Sequence, residues 1–152
     1  MMGMQLATGR GMKLRHDQAS PGAIFVADGA SNLAPLVLVI DDAVETRRFI
    51  TLVLRARGYR VLEAGDGLVA MLILMTEQLD LVISDLEMPV CDGWAVLAFC
   101  HEHCPGLPVM IVSGGALGSR PEVECWAAGT LPKPFDVARL RAEVERLVPM
   151  AA

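Results

Sequence analysis

The sequence predicts an α/β domain built on a doubly wound parallel sheet of five strands with five helices. Three observations carry this expectation. Short aliphatic runs recur along the chain and each stops abruptly at a polar residue, as strands buried on both faces do. Each run is followed by a segment of helical period, and that alternation is the pattern of parallel strands joined by right-handed crossovers. Hydrophobic residues make up 53% of the chain but aromatic residues only 5%, which suits helices stacked on strands better than an aromatic-rich β-sandwich. At 152 residues the chain has room for one domain with a sizeable core and little room for a second.

Residues 1–34 hold Gly, Ser, Ala, Asn and scattered charges without sustained periodicity. A flexible extension, ordered on contact with a partner, is expected there. Residues 23–27 form an apolar island too short to establish an element. From Leu36 the pattern changes. Residues 36–40 read as a buried strand ending in Asp41-Asp42, and residues 43–57 as a helix stopped by Gly58. Val44, Phe49, Ile50, Val53 and Leu54 are expected on its apolar face, with Arg47, Arg48, Arg55 and Arg57 outward. Residues 60–64 read as a second strand. Asp66 is the expected N-cap of a helix over 68–78 that is apolar almost all round, which suggests burial or a contact surface.

Residues 80–84 form the third expected strand, with Asp85 at its end and Pro89 forbidding its continuation. Asp92-Gly93 opens a third helix over 94–103, ended by Pro105-Gly106. Residues 108–112 read as the fourth strand, terminating at Ser113-Gly114-Gly115. A shorter helix over 121–128 and a brief strand over 130–132 lead to Lys133-Pro134-Phe135, where Pro134 is free to take a cis bond. Asp136 then caps an amphipathic helix through Val148, with Val137, Leu140, Val144, Leu147 and Val148 on its apolar side. The reading is a domain over 35–149 after an extension over 1–34, with no output domain following.

Charge and composition exclude several classes of function. Residues 1–34 carry three basic and two acidic side chains, whereas residues 35–152 carry ten basic and sixteen acidic ones. No basic cluster interleaved with aromatics offers a nucleic-acid surface. The longest apolar run, residues 68–75, falls well short of the ~18 residues of a membrane span, so no membrane insertion is expected. Four cysteines, at 91, 100, 104 and 125, and no secretory leader fit reduced thiols and a cytoplasmic setting.

The polar residues at the strand ends converge on one edge of the sheet, where open α/β sheets bind ligands. They are Asp41 and Asp42, then Asp85, Ser113 and Lys133. Crowded carboxylates repel, and a hard divalent cation relieves them; Mg²⁺ takes few carboxylates and accepts phosphate oxygens, so the pocket suits phosphoryl chemistry. A serine hydroxyl and a lysine ammonium can hold phosphoryl oxygens. Asp85, alone on the central strand, can attack phosphorus to form an acyl phosphate. Residues 35–152 contain nine arginines but one lysine, Lys133, so a compact point charge stands where the pocket calls for one.

Together these residues resemble the receiver domain of two-component response regulators, the chemotaxis-regulator type, over about residues 36–148. The ordered set comprises Asp41-Asp42, Asp85-Leu86-Glu87-Met88-Pro89 with Asp92-Gly93, Ser113-Gly114 and Lys133-Pro134-Phe135. The resemblance implies a flavodoxin-like strand order 2-1-3-4-5. It implies that Asp85 accepts a phosphoryl group from a phosphohistidine of a sensor histidine kinase or histidine phosphotransfer protein. It further implies that Mg²⁺ is held by the side chains of Asp42 and Asp85, by Asp41 through water and by the backbone carbonyl of Glu87. Ser113 and Lys133 would hold the transferred group, and the chain would catalyse only its own phosphorylation and dephosphorylation while signalling to a downstream protein or relaying the phosphoryl group. A homodimer is compatible with this reading.

The sequence departs from the family in two places. Thr130 stands where the family usually has an aromatic switch residue, and Gly114, Gly115, Gly118 and Pro121 crowd a slightly short loop expected to be mobile. Glu87 adds a carboxyl group beside the pocket. Two rivals are a receiver-shaped binding module that is not phosphorylated and an aspartate-nucleophile phosphatase of the dehalogenase type. The latter places a second aspartate two residues after its nucleophile, where this chain has Glu87 after Asp85 and Ala43 after Asp41. Cys100, His101, His103 and Cys104 also suggest zinc, against the alternative of core thiols and helix-terminal histidines. Met71 and Met75 are expected as core filler, and Trp94 and Trp126 as packed on helices.

Overall fold

A computed structural model describes residues 33–88, 91–115 and 121–151. Most of the extension over 1–34, together with Pro89, Gly118 and most of the glycine-rich loop, lies outside the described residues. The elements run β1 (Leu36–Ile40), α1 (Val44–Ala56), β2 (Arg60–Ala64), α2 (Gly67–Thr76), β3 (Leu81–Asp85), α3 (Gly93–His103), β4 (Val109–Ser113), α4 (Pro121–Trp126), β5 (Gly129–Pro132) and α5 (Val137–Leu147). All four strand pairings are parallel, in the order β2-β1-β3-β4-β5, as expected. Two strands shift by one residue: Asp85 and Ser113 are the last paired residues of β3 and β4 rather than the first residues beyond them. Helices α2 and α4 end at Thr76 and Trp126, two residues before the expected ends at 78 and 128.

Strand periodicity divides the core into two layers. Side chains alternate across a sheet, so Leu36, Leu38 and Ile40 face the layer with Val96, Leu97 and Val123. Val37 and Val39 face the other layer, with Ile50, Leu54, Leu140 and Val144 of α1 and α5. Every residue of β1, β3 and β4 is buried, which is why these strands read as unbroken aliphatic runs.

Helix ends follow local chemistry. Asp66, Asp92 and Asp136 each accept a hydrogen bond from a backbone N–H of the first turn, at 2.9, 3.1 and 2.8 Å. After α1, Gly58 takes φ +94°, and the Gly58 and Tyr59 N–H groups donate back to the Arg55 and Leu54 carbonyls. That is the helix-ending motif for which glycine is preferred.

Several side-chain placements differ from the sequence reading. Val44 and Phe49 are exposed, because α1 turns Ile50, Val53 and Leu54 to the sheet, and Phe49 meets the Phe135 ring instead, with centroids 6.0 Å apart. Arg47 and Arg55 are not simply outward: they donate to the carbonyls of Asp41 and Val61. Met75 is 71% exposed rather than core filler, since α2 rests on the sheet through one side only and buries Ala70 and Leu74. Trp126 is partly exposed and stacks on His101, with ring centroids 4.3 Å apart. Among the described residues no helix is long and apolar enough to cross a membrane.

The chain's single tyrosine, Tyr59, donates a 2.7 Å hydrogen bond to the Val148 carbonyl and ties the end of α1 to the end of α5. Burial, then the charge of Glu145, raises the Tyr59 pKa above its ordinary value of 10.0. The neutral phenol therefore contributes stability that is present below pH 10.0 and lost as pH rises through the folded-state value. Tyrosinate absorbance should titrate at higher pH in the native chain than in the urea-unfolded chain. Tyr59→Phe should cost about 1 kcal/mol at neutral pH by chemical denaturation.

Candidate functional site

At the carboxyl edge of the sheet the alternation of side chains does selective work. Continuing it past the strands, Asp41, Asp85 and Lys133 fall on the α1/α5 side, with Val37, Val39, Ile83 and Leu131, whereas Ser113 falls on the other. The three residues on the shared side meet. The Lys133 Nζ donates to Asp41 Oδ2 at 3.0 Å and to Asp85 Oδ2 at 3.2 Å. Asp41 is 1% exposed and Asp85 8%, so both carboxylates have lost most of their water and depend on protein donors. Asp41 Oδ1 accepts from the Ala43 N–H at 2.9 Å, and Asp85 Oδ1 from the Glu87 N–H at 3.2 Å. Burial by itself lowers the pKa of Lys133, but the hydrogen bonds and charges of Asp41 and then Asp85 outweigh it and hold the ammonium above its ordinary range. Lys133 is therefore charged at neutral pH.

The other residues read from the sequence arrange around this centre. Asp42 is exposed, and one carboxylate oxygen each of Asp41, Asp42 and Asp85 lie within 4.8 Å of one another. Among the described residues this is the one group of three acidic, histidine or cysteine side chains close enough to share a cation. Cys100, His101, His103 and Cys104 do not form such a group, and burial pushes the Cys100 thiol up to about 12. Ser113 Oγ accepts from the Gly115 N–H at 3.2 Å, leaving its hydroxyl proton to donate elsewhere. The Ser113 carbonyl accepts from the Lys133 N–H at 2.9 Å, which sets these two residues side by side. The Lys133–Pro134 bond is cis. Glu87 is exposed, with its carboxylate beside Gly115, and Thr130 is exposed on β5.

The donor set is hard oxygen throughout, and three carboxylates against one ammonium leave two negative charges, which one divalent cation balances. This fits Mg²⁺ better than a softer metal.

Two positioning residues escaped the sequence reading. Arg47 donates from Nη1 to the Asp41 carbonyl at 2.7 Å and approaches Glu63 of β2 at 3.4 Å, tying the first turn of α1 to the ends of two strands. A cation in a helix's first turn opposes the macrodipole and so requires acceptors of its own, a signal available in the sequence. Gly93 does more than open α3: a Cβ there would lie 2.0 Å from the Asp85 carbonyl oxygen and 2.7 Å from Leu86 Cα. Helix α3 thus begins directly against the backbone that carries Asp85.

Comparison with known proteins converges on one family. The model of the response regulator receiver domain matches residues 37–145. The probable transcriptional regulatory protein SilR of Salmonella typhimurium is 31% identical over 114 residues, covering 74% of this chain and 50% of SilR. The chain thus spans half the length of that curated relative. Among solved structures, the Francisella response regulator 1452 receiver domain is 29% identical with a TM-score of 0.67, covering 74% of this chain and 95% of that one. The chemotaxis response regulator CheY4 of Vibrio cholerae is 28% identical with a TM-score of 0.69, covering 76% and 99%.

The contacts at two glycines predict opposite outcomes. Gly93→Ala should cost about 1–3 kcal/mol or more, because backbone rather than a flexible side chain must yield. Gly115→Ala should cost under about 0.5 kcal/mol, since the one tight contact of the added methyl is the far end of the flexible Glu87 side chain, and Ser113 Oγ lies at an ordinary 3.7 Å. Urea denaturation midpoints of the two variants check the contrast.

Proposed function

The chain belongs to the response regulator receiver domain family, a module of two-component signalling, and on that premise we propose that Asp85 is its phosphoacceptor. The donor is a phosphohistidine on a sensor histidine kinase or a histidine phosphotransfer protein. The observation that carries this reading is the Lys133 ammonium set between two buried carboxylates, 3.0 Å from Asp41 and 3.2 Å from Asp85, at the end of the central strand. A carboxylate oxygen of Asp85 bonds to phosphorus as the phosphorus–nitrogen bond of the donor breaks, and the leaving imidazole takes up a proton.

Asp41 holds Lys133 in place throughout, so the ammonium is already oriented when charge builds on the phosphoryl oxygens. As a compact charge on a flexible stem, Lys133 can follow those oxygens when Asp85 Oδ2 changes its bonding. Ser113 donates its hydroxyl proton to another phosphoryl oxygen, drawing the start of the loop after β4 toward the site. The N–H of Glu87, 3.2 Å from Asp85 Oδ1, orients the carboxylate for attack.

Asp42 and Asp85 by side chain, Asp41 through water and the Glu87 carbonyl would hold Mg²⁺. When bound, the ion supplies charge neutralisation for the incoming phosphoryl oxygens. The acidic surface, net basic only before residue 35, favours protein partners over nucleic acid. Exposed Thr130 stands where the family usually has an aromatic, so Ser113 has no aromatic rotamer to couple to, and the output surface signals differently or weakly.

Acetyl phosphate with Mg²⁺ should label the full chain once, on Asp85, and mass spectrometry should find no label in Asp85→Asn or after chelation. Lys133→Ala should slow labelling about a hundredfold, the scale of losing one preorganised charge-stabilising group. Equal labelling of wild type and Asp85→Asn would overturn the assignment. Sustained turnover of a small phosphomonoester would favour a phosphatase instead.

A further inference from the structure

The three clustered carboxylates are not held alike. Asp41 and Asp85 are each fixed by Lys133 and by a backbone N–H, whereas Asp42 is exposed and no described residue hydrogen-bonds to its carboxylate. Its direction is therefore set by its backbone, above all by the peptide plane it shares with Asp41. The start of α1 does little to fix that plane, because the N-cap position is Ala43, which has no capping side chain.

Arg47 supplies the missing restraint from one turn further along. Its own N–H donates to the Ala43 carbonyl at 3.0 Å. Its side chain turns back so that Nη1 donates at 2.7 Å to the Asp41 carbonyl, the oxygen that lies in the Asp41–Asp42 peptide plane. Nε stands 3.4 Å from Glu63 Oε1 on β2. A guanidinium is rigid and planar, so two anchors together fix where it lies. Gly65 leaves room for it, since a Cβ there would come 3.3 Å from Nη1. The Arg47 side chain is only 19% exposed, unlike the solvent-loosened surface pairs that contribute little.

Charge does not account for this arrangement. A guanidinium near a cation site opposes the cation, and Glu63 offsets that opposition. What the pair contributes is orientation, in the manner of outer groups that hold metal ligands without touching the metal.

We propose that Arg47, anchored by Glu63, is a positioning residue that sets the affinity of the site for Mg²⁺ by locking the Asp41–Asp42 peptide. The inference rests on the reading of Asp42 and Asp85 as the side chains that hold Mg²⁺. Arg47 acts through Asp42 and touches neither the ion nor the phosphoryl group.

Mg²⁺ binding to the full chain, measured without a phosphodonor by calorimetry and by the Asp42 amide resonance, tests this. Arg47→Met should weaken binding about tenfold, the lower end of what losing an outer-shell partner costs. Charge alone predicts the reverse, because the substitution leaves Glu63 unpaired. Arg47→Lys keeps the charge and the methylene stem but not the planar fork, so it reads the same quantity should Arg47→Met fail to fold. It should also bind Mg²⁺ more weakly than wild type, where charge alone predicts no change. Wild-type or tighter affinity in either folded variant would overturn the proposal and leave the cation reading standing. A wild-type chain that binds no Mg²⁺ would overturn both.

Discussion

A single ammonium group joins the ends of three strands. Lys133 follows β5, Asp85 closes β3 and Asp41 follows β1, and the hydrogen bonds of 3.0 and 3.2 Å from Nζ bring their charges together. Both carboxylates are buried, so the ammonium and the backbone N–H groups supply the donors that replace the water each has lost. The strand order makes the meeting achievable. β3 lies between β1 and β4, and β5 lies beyond β4, so a long side chain is needed to reach back across the sheet edge, and lysine has it.

What surrounds this contact keeps it from relaxing. Backbone N–H groups occupy the second oxygen of each carboxylate, and Arg47 holds the carbonyl of Asp41 against the first turn of α1. On the opposite side of β3, α3 begins so close to Asp85 that only glycine fits at position 93. Asp85 is thus gripped by its backbone, and one of its carboxylate oxygens lies within 4.8 Å of one of exposed Asp42. Rigid support with local access is the arrangement expected where phosphoryl transfer relies on positioning and electrostatics.

The helices divide along different lines. α5 presents its apolar stripe to one layer of the core and its charges to water, and Leu140 and Val144 are buried. α2 has no such division in its sequence, and it buries Ala70 and Leu74 while leaving Leu68, Leu72 and Met75 exposed. The contrast shows why a helix's composition and its burial must be read separately: composition sets how much surface seeks cover, while packing sets how much of it the sheet provides.

The sequence by itself determined the alternation of five strands and five helices, the aspartate caps, the glycine that ends α1 and the short set of polar residues at the strand ends. All of these rest on local chemistry: the period of apolar residues, capping hydrogen bonds and backbone freedom. It did not reveal that Arg47 turns inward, that Val44, Phe49 and Met75 stay on the surface, or that Gly93 abuts the Asp85 backbone. Those depend on which side of a helix meets the sheet and on how closely two distant segments approach. Only the tertiary structure decided that Lys133 stands between Asp41 and Asp85, because residues separated by 92 and 48 positions meet only through the order and register of the strands that carry them.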